Sequence, residues 1–132
     1  ERQKEHTGFK KAIGIMQYNV QIVGQAIILM LEGRLMNEQQ TAKIRGRISA
    51  DLAANEKKFV FDLKSLEFVN SACLNFLVSS KNKIVEQGGE LVLCNVSDQL
   101  KKLLAMTRLE SYFKITGRTS DAIDLLNKAS NN

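Results

Sequence analysis

The sequence has a single histidine, two cysteines, no proline and no tryptophan among its 132 residues. Most catalytic and metal sites are built from imidazoles, thiolates and clustered carboxylates, and the one histidine, His6, lies near the start of the chain. Cys73 and Cys94 belong to no CxxC pair and have no histidine at ligand spacing. We therefore expect no metal, no cofactor and no catalytic residues, and we predict that the protein is not an enzyme.

The two cysteines also bear on location. Both lie in apolar stretches, where buried free thiols are common, although their spacing does not exclude a disulfide. The sequence has no signal-peptide pattern, and two cysteines fit a reducing compartment, so we expect a cytoplasmic protein. The longest apolar run, residues 26–31, has the length of a strand, far short of the ~20 residues that span a bilayer. Direct membrane insertion is therefore not expected.

The net charge of +5 raises nucleic acid or an anionic membrane surface as partners, because clustered cations release counterions from phosphates. The basic residues are not clustered, since residues 1–12, 13–63 and 64–132 each carry only a small excess of them. Aromatic residues make up 6% of the chain and do not alternate with basic ones as in stacking platforms. We expect a solubilising surface and no nucleic-acid partner.

The length of 132 residues suits one domain. Residues 1–12 are polar and lack periodicity, which is typical of a tail. Hydrophobic periodicity begins after them and continues almost to the end of the sequence. We predict a single domain over residues 13–128, preceded by a polar tail and followed by a short tail at residues 129–132.

One stretch of alternating character and four short apolar runs predict strands, because they are rich in β-branched and aromatic residues. The first two are separated by Gly24 and Gln25 and predict a hairpin, whose second strand is expected to end at Gly33. The runs lie at residues 13–22, 26–31, 59–63, 91–94 and 112–115.

Four segments with an apolar residue every three or four positions predict helices. Each begins at a residue type that caps helix N-termini, and the second is expected to end at Gly88 and Gly89. The expected N-caps are Asn37 (paired with Gln40 as in a capping box), Asn70 or Ser71, and Ser97, and the fourth helix is expected to start at Thr119 or Ser120. The apolar stripe of the second helix contains Leu74, Leu77, Val78, Ile84 and Val85.

The alternation of strands and helices after the hairpin implies right-handed βαβ crossovers and a largely parallel sheet. The predicted fold class is α/β, with about four helices packed on a mixed, mostly parallel sheet whose antiparallel edge is the hairpin. Partners of such sheets usually meet the carboxyl ends of the strands. A turn is expected at residues 64–70, between the third strand and the second helix, and the loop of residues 66–73 lies at that edge.

Sequence motifs for catalysis are absent. The chain contains no GxGxxG, GxxxxGK[ST] or GxSxG segment, which argues against nucleotide hydrolysis and acyl transfer. Asp62 and Glu67 flank the expected turn as isolated carboxylates. We expect such groups to be solvated or to cap a helix rather than to act as a general base.

Ser71 places a hydroxyl at the start of the second helix, directly after the third strand and its turn. A helix N-terminus presents free N–H groups and the positive end of the dipole, which would accept a phosphate. The chemistry of the residues leaves two interpretations open. Ser71 is either a phosphoryl acceptor or, like Asn70, simply a helix cap.

Several segments, in this order and spacing, resemble the STAS-domain family, and within it the bacterial anti-sigma-factor antagonists, over about residues 13–128. They are an L-x-G-x-L segment at residues 31–35, an apolar strand and turn at 59–68, the pair Asn70-Ser71, a G-G-x-L-x-L segment at 88–97 and a closing strand at 109–115.

The phosphorylation motif of that family reads roughly Asp-Ser-Ser/Thr-Gly-Leu, where this chain has Asn70-Ser71-Ala72-Cys73-Leu74. The acceptor serine is kept, whereas the acid, the second hydroxyl and the glycine are replaced. A further acid that usually follows the Gly-x-Leu segment is replaced by Met36.

The resemblance implies a bacterial regulator of transcription that binds an anti-sigma factor with serine-kinase activity. Phosphorylation of Ser71 by that kinase would switch it off, and a serine phosphatase would reset it. The implied partner-contact residues are Asn70, Ala72, Cys73, Asn75, Met36 and Asn37. The alternative is a non-switching STAS module, either a scaffold subunit or a cytosolic accessory of a membrane transport complex. A homodimer is left open.

Overall fold

A computed structural model of the chain describes residues 17–34, 38–68 and 70–130. Within these ranges it contains five strands and four helices. In chain order they are β1 (Gln17–Val23), β2 (Ala26–Arg34), α1 (Glu38–Ala53), β3 (Lys58–Phe68), α2 (Ser71–Glu86), β4 (Glu90–Cys94), α3 (Asp98–Met106), β5 (Lys114–Thr116) and α4 (Thr119–Ser130).

The five strands form one sheet in the order β1-β2-β3-β4-β5. β1 runs antiparallel to β2, and every later pair is parallel. Because each crossover from β2 onward moves one strand in the same direction, right-handed connections place α1, α2 and α3 on one face. α4 follows the last strand and covers the other face. The predicted α/β class, the mixed sheet and the N-terminal hairpin are confirmed.

Two apolar clusters occupy the two faces of the sheet. The larger one joins α1, α2 and α3 to alternate residues of the strands, including Phe59 and Phe61. Phe61 stacks on Phe76 of α2 with ring centroids 5.8 Å apart. The smaller cluster contains Ala122 and Leu126 of α4. It joins them to the strand residues that point to the opposite face of the sheet, such as Val60 and Val92. Both faces of the central strands are therefore buried, which explains why these strands are continuous apolar runs in the sequence.

The structure corrects the end of β3. The turn predicted at residues 64–70 is wrong, because β3 continues to Phe68 and pairs with β2 as far as Arg34. Two register shifts interrupt this pairing, so the last part of β3 contains more residues than the part of β2 opposite it. Such bulges break the alternation of side chains that identifies a strand in a sequence.

Other predicted boundaries also move by one or two residues. β2 ends at Arg34, one residue beyond the predicted end at Gly33. β5 covers Lys114–Thr116 rather than residues 112–115. α4 extends to Ser130, two residues past the expected end of the domain. The predicted strand residues 13–16 and the Asn37 of the expected capping box lie outside the described residues.

The C-terminus of α2 forms the predicted glycine cap. Gly88 has a φ of +83°, and its N–H donates to Val85 O at 2.9 Å while that of Gly89 donates to Ile84 O at 2.8 Å. These two bonds are those of a Schellman motif. Val85 itself is 50% exposed, so its predicted place on the buried stripe of α2 is wrong.

None of the helices within the described part of the chain has both the length and the apolar character needed to cross a lipid bilayer.

A glycine-to-alanine pair tests this packing. A Cβ on Gly89 would lie 2.8 Å from Lys57 O and 2.9 Å from Ile84 Cγ2, so Gly89→Ala should lower the free energy of unfolding by about 1–3 kcal/mol through overpacking. The control is Gly46→Ala, because no atom lies within 4 Å of a Cβ at that exposed position in α1. It should stabilise the protein by about 0.5–1 kcal/mol through helix propensity. Urea denaturation measures both, and equal effects of the two changes would contradict the packing described here.

Candidate functional site

The N-terminus of α2 is capped by Asn70. Its backbone is extended, with φ −153° and ψ −170°, and its side-chain Oδ1 accepts the N–H of Cys73 at 3.0 Å. Its carbonyl oxygen accepts the N–H of Leu74, also at 3.0 Å. Of the two N-cap candidates, Asn70 is therefore the cap, and Ser71 is the first residue of the helix.

The surface around Ser71 is exposed and neutral. Ser71 and Asn75, one turn later, are exposed, whereas Asn70 and Ala72 are half-buried. The first turn of α2 has no acidic residue. The positive end of the helix dipole at Ser71 is therefore not offset by a carboxylate within the helix, and this is a favourable position for an anionic group.

The structure corrects the prediction that Cys73 contacts a partner. It is 1% exposed and belongs to the larger apolar cluster, so its side chain takes no part in the exposed surface. Burial raises the pKa of its thiol to about 12, because the thiolate would lose its hydration. Both Cys73 and Cys94 are buried free thiols, as the apolar surroundings predict, and the disulfide that the spacing left open is not present.

Two predicted contact residues, Met36 and Asn37, lie outside the described residues. Among the described residues no group of three His, Cys, Asp or Glu side chains is arranged to hold a metal ion. The neighbourhood of Ser71 within the described chain therefore consists of a capped helix start with Ser71, Ala72 and Asn75 on or near its surface.

Asp62 belongs to this edge of the sheet, which the sequence analysis does not predict. It is only 6% exposed, rather than solvated, and it does not cap a helix; its side chain accepts hydrogen bonds from the backbone of Lys64 and from Asn95 and Thr119. The signal was present in the sequence. A carboxylate within the apolar run of residues 59–63 must find donors when the strand is buried on both faces.

Arg45 of α1 is a second residue that the sequence did not single out. Its Nη1 donates to Ser79 Oγ of α2 at 2.6 Å, and its guanidinium carbon lies 5.4 Å from the centre of the Phe76 ring. These contacts join α1 to α2, the helix that carries Ser71. An arginine near the apolar stripe of an amphipathic helix is the pattern that could have revealed it.

A sequence profile of the STAS domain matches residues 17–122, which is most of the chain and includes all five strands and the first three helices. The chain belongs to the STAS-domain family. The matched region contains the capped start of α2, so Ser71 lies inside the family domain.

Individual relatives agree with this assignment. BtrV of Bordetella bronchiseptica, named provisionally as an anti-sigma factor antagonist, is 22% identical over 100 residues, which cover 76% of this chain and 85% of BtrV. The crystal structure of an anti-sigma factor antagonist from Mycobacterium paratuberculosis is 20% identical, with a TM-score of 0.73 over 88% of this chain and 97% of that one.

The third relative is SpoIIAA, an anti-sigma factor antagonist and cell fate determinant of Bacillus. Its unphosphorylated form is 18% identical and superimposes with a TM-score of 0.67 over 84% of this chain and 98% of SpoIIAA. Its phosphorylated form, also 18% identical, gives 0.65 over 82% and 97%. These similarities show the fold, and the relatives of this STAS domain include anti-sigma factor antagonists.

The cap is tested by a pair of asparagine substitutions. Asn70→Ala removes the acceptor for the Cys73 N–H and should lower the free energy of unfolding by about 1 kcal/mol. Asn75→Ala, at an exposed position of the same helix, is the control and should be neutral or slightly stabilising, since alanine has the higher helix propensity. Chemical denaturation followed by circular dichroism measures the difference. Equal stabilities of the two variants would show that Asn70 does not cap α2.

Proposed function

We propose that this STAS domain is an anti-sigma-factor antagonist that docks the exposed start of α2 on an anti-sigma factor with serine-kinase activity. Docking frees the sigma factor by competition. Phosphorylation of Ser71 by the kinase reverses docking, and a serine phosphatase restores the unmodified form. The protein is then a binding protein and a substrate of the kinase rather than an enzyme.

The observation that carries the proposal is the placement of Ser71. Its side chain is exposed at the first position of a helix whose cap is made by the preceding residue, Asn70. The Ser71 hydroxyl therefore is not needed to hold the helix, and it remains accessible to an enzyme. A capping serine, such as Ser97 at the start of α3, instead uses its Oγ to accept the Leu100 N–H at 3.1 Å.

A phosphate on Ser71 would be tolerated by the fold. It adds about −1.5 to −2 charges at neutral pH, and these charges would lie at the positive end of the α2 dipole. No acidic residue in the first turn of α2 would repel them. Asn70 stands where the family has an acid, so the phosphate would be the first negative charge at the start of α2. The difference in charge between the unmodified and the phosphorylated surface is therefore larger than with the acid present.

The same phosphate would weaken docking. A surface formed by Asn70, Ala72 and Asn75 around Ser71 is uncharged, so a partner that fits it has no need of a matching cation there. Burying a dianion without such a cation is strongly unfavourable. Met36 and Asn37 are proposed as further contacts from the segment that precedes α1. Cys73 contributes to packing beneath this surface and not to contact with the partner.

The relatives support a two-state switch. SpoIIAA, which has the same fold, is known in an unphosphorylated and a phosphorylated form, and the two superimpose on this chain with TM-scores of 0.67 and 0.65. Both forms of SpoIIAA keep this fold, as expected for a modification that changes a surface and leaves the fold intact.

The neutral residues around Ser71 also favour a second candidate function. Asn70 and Ala72 stand where the family has an acid and a hydroxyl. A kinase that recognises those two groups would not recognise this chain as a substrate. The domain would then be a non-switching interaction module, such as a scaffold subunit or an accessory of a membrane transport complex. A phosphorylation assay distinguishes the switch from the non-switching module.

The test is incubation of the chain with its cognate anti-sigma-factor kinase and ATP, followed by peptide mapping with mass spectrometry. We expect one phosphate per chain, located on Ser71, and none in Ser71→Ala. The matched control is Ser65→Ala, an exposed serine near the end of β3, which should be modified like the wild type. Phosphate at another residue, or no phosphate together with undiminished binding to the kinase, would overturn the switch and leave the non-switching module.

A further inference from the structure

Within the described ranges, β3 has a neighbouring strand on one side only beyond Asp62. Its pairing with β4 ends where Asp62 faces Cys94, whereas its pairing with β2 continues to Phe68. We call residues 63–68 the β3 arm. The arm leads through residue 69 to Asn70 and Ser71, so its position sets where the start of α2 is presented.

A bulge lies at the base of the β3 arm. Met30 pairs with Asp62 and Glu32 with Ser65, so two residues of β3, Leu63 and Lys64, lie opposite a single residue of β2. A bulge of this kind bends its strand and redirects the chain that follows. The Lys64 N–H inside the bulge donates to Asp62 Oδ1 at 3.1 Å, so the carboxylate of Asp62 directly fastens the bulged backbone.

The same carboxylate reaches two other elements. Asp62 Oδ1 also accepts from Asn95 Nδ2 at 3.0 Å, just after the end of β4. Asp62 Oδ2 accepts from Thr119 Oγ1 at 3.4 Å, at the first residue of α4. Asn95 is tied to the same place through its own backbone, because its N–H donates to Gly117 O at 3.1 Å.

From these contacts we propose that Asp62 is a positioning residue for the Ser71 site. It holds the bulge at the base of the β3 arm and fastens the arm to the end of β4 and to the start of α4. Asp62 thereby substitutes for the strand pairing that β4 does not provide to β3 beyond Cys94. The attachment of α4, on the face of the sheet opposite α2, therefore contributes to the order of the segment that presents Ser71. The link to phosphorylation rests on the function proposed above, whereas the ordering of the arm does not.

Backbone amide hydrogen exchange measured by NMR on the whole chain tests the proposal without any partner. Global destabilisation raises exchange everywhere, so the quantity of interest is exchange at residues 64–68 relative to residues 91–93 of β4. In Asp62→Ala this ratio should rise about tenfold or more. In Asp62→Asn it should stay within about threefold of the wild type, because the amide Oδ1 still accepts from Lys64 and Asn95.

Asp124→Asn is the matched control, since Asp124 is an exposed carboxylate on α4, and its ratio should equal that of the wild type. If Asp62→Ala does not fold, Asn95→Gly replaces it. Glycine accepts the φ of +55° at position 95, and loss of the Nδ2 donor should raise the ratio about threefold. An unchanged ratio in these variants, or an equal rise in Asp62→Asn and Asp62→Ala, would overturn the positioning role.

Phosphorylation kinetics give the second readout. Misplacement of the β3 arm should raise the KM for Ser71 phosphorylation about tenfold in Asp62→Ala, with the smaller change in kcat and with recovery in Asp62→Asn. An unchanged KM in an Asp62→Ala variant whose arm exchanges faster would overturn the link between the arm and Ser71. If the wild-type chain itself receives no phosphate, the proposed function fails, and the exchange ratios still decide the role of Asp62.

Discussion

The direction of the crossovers determines on which face of the sheet each helix packs. From β2 onward each parallel strand is placed one position further along the sheet, and right-handed connections then force α1, α2 and α3 onto one face. All four parallel strands end at the same edge, where α2, α3 and α4 begin. The exposed start of α2 is thus a product of topology, and α4 is left to cover the second face alone.

At that edge two kinds of polar interaction have different tasks. Asn70 satisfies a helix N–H locally, three residues away in the sequence, and this leaves the hydroxyl of Ser71 free for modification. Asp62 joins segments that are distant in the sequence, since Asn95 and Thr119 lie far along the chain from it. In the function proposed above, the local cap would allow Ser71 to be phosphorylated without loss of the helix, and the distant contacts of Asp62 would keep the surroundings of Ser71 in place.

Local signals account for what the sequence predicted correctly. The hairpin follows from two β-branched runs separated by Gly24, which has a φ of +60° in the structure, and α2 follows from Asn70 at its start and Gly88 at its end. The end of β3 was not predictable by the same means. Two bulges break its alternation, and its exposed residues Lys64 and Ser65 resemble those of a turn.

The position of Cys73 shows a different limit. Cys73, Leu77 and Ile84 share one buried stripe of α2, and their helical spacing is readable in the sequence. The family motif nevertheless placed Cys73 among the contact residues, because motifs record which residues lie near a site and not which way each side chain points. For Asp62, burial can be predicted from its place in an apolar run of the sequence. Its hydrogen-bond partners cannot be predicted in this way, because they depend on tertiary structure.

In the proposed switch, a phosphate on Ser71 changes the docking surface and leaves the fold intact. Calorimetric titration of the cognate anti-sigma factor, with the unmodified chain and with the chain stoichiometrically phosphorylated on Ser71, measures the effect of the phosphate on docking. We expect the phosphorylated form to bind about 30-fold more weakly or worse. Equal dissociation constants for the two forms would contradict the claim.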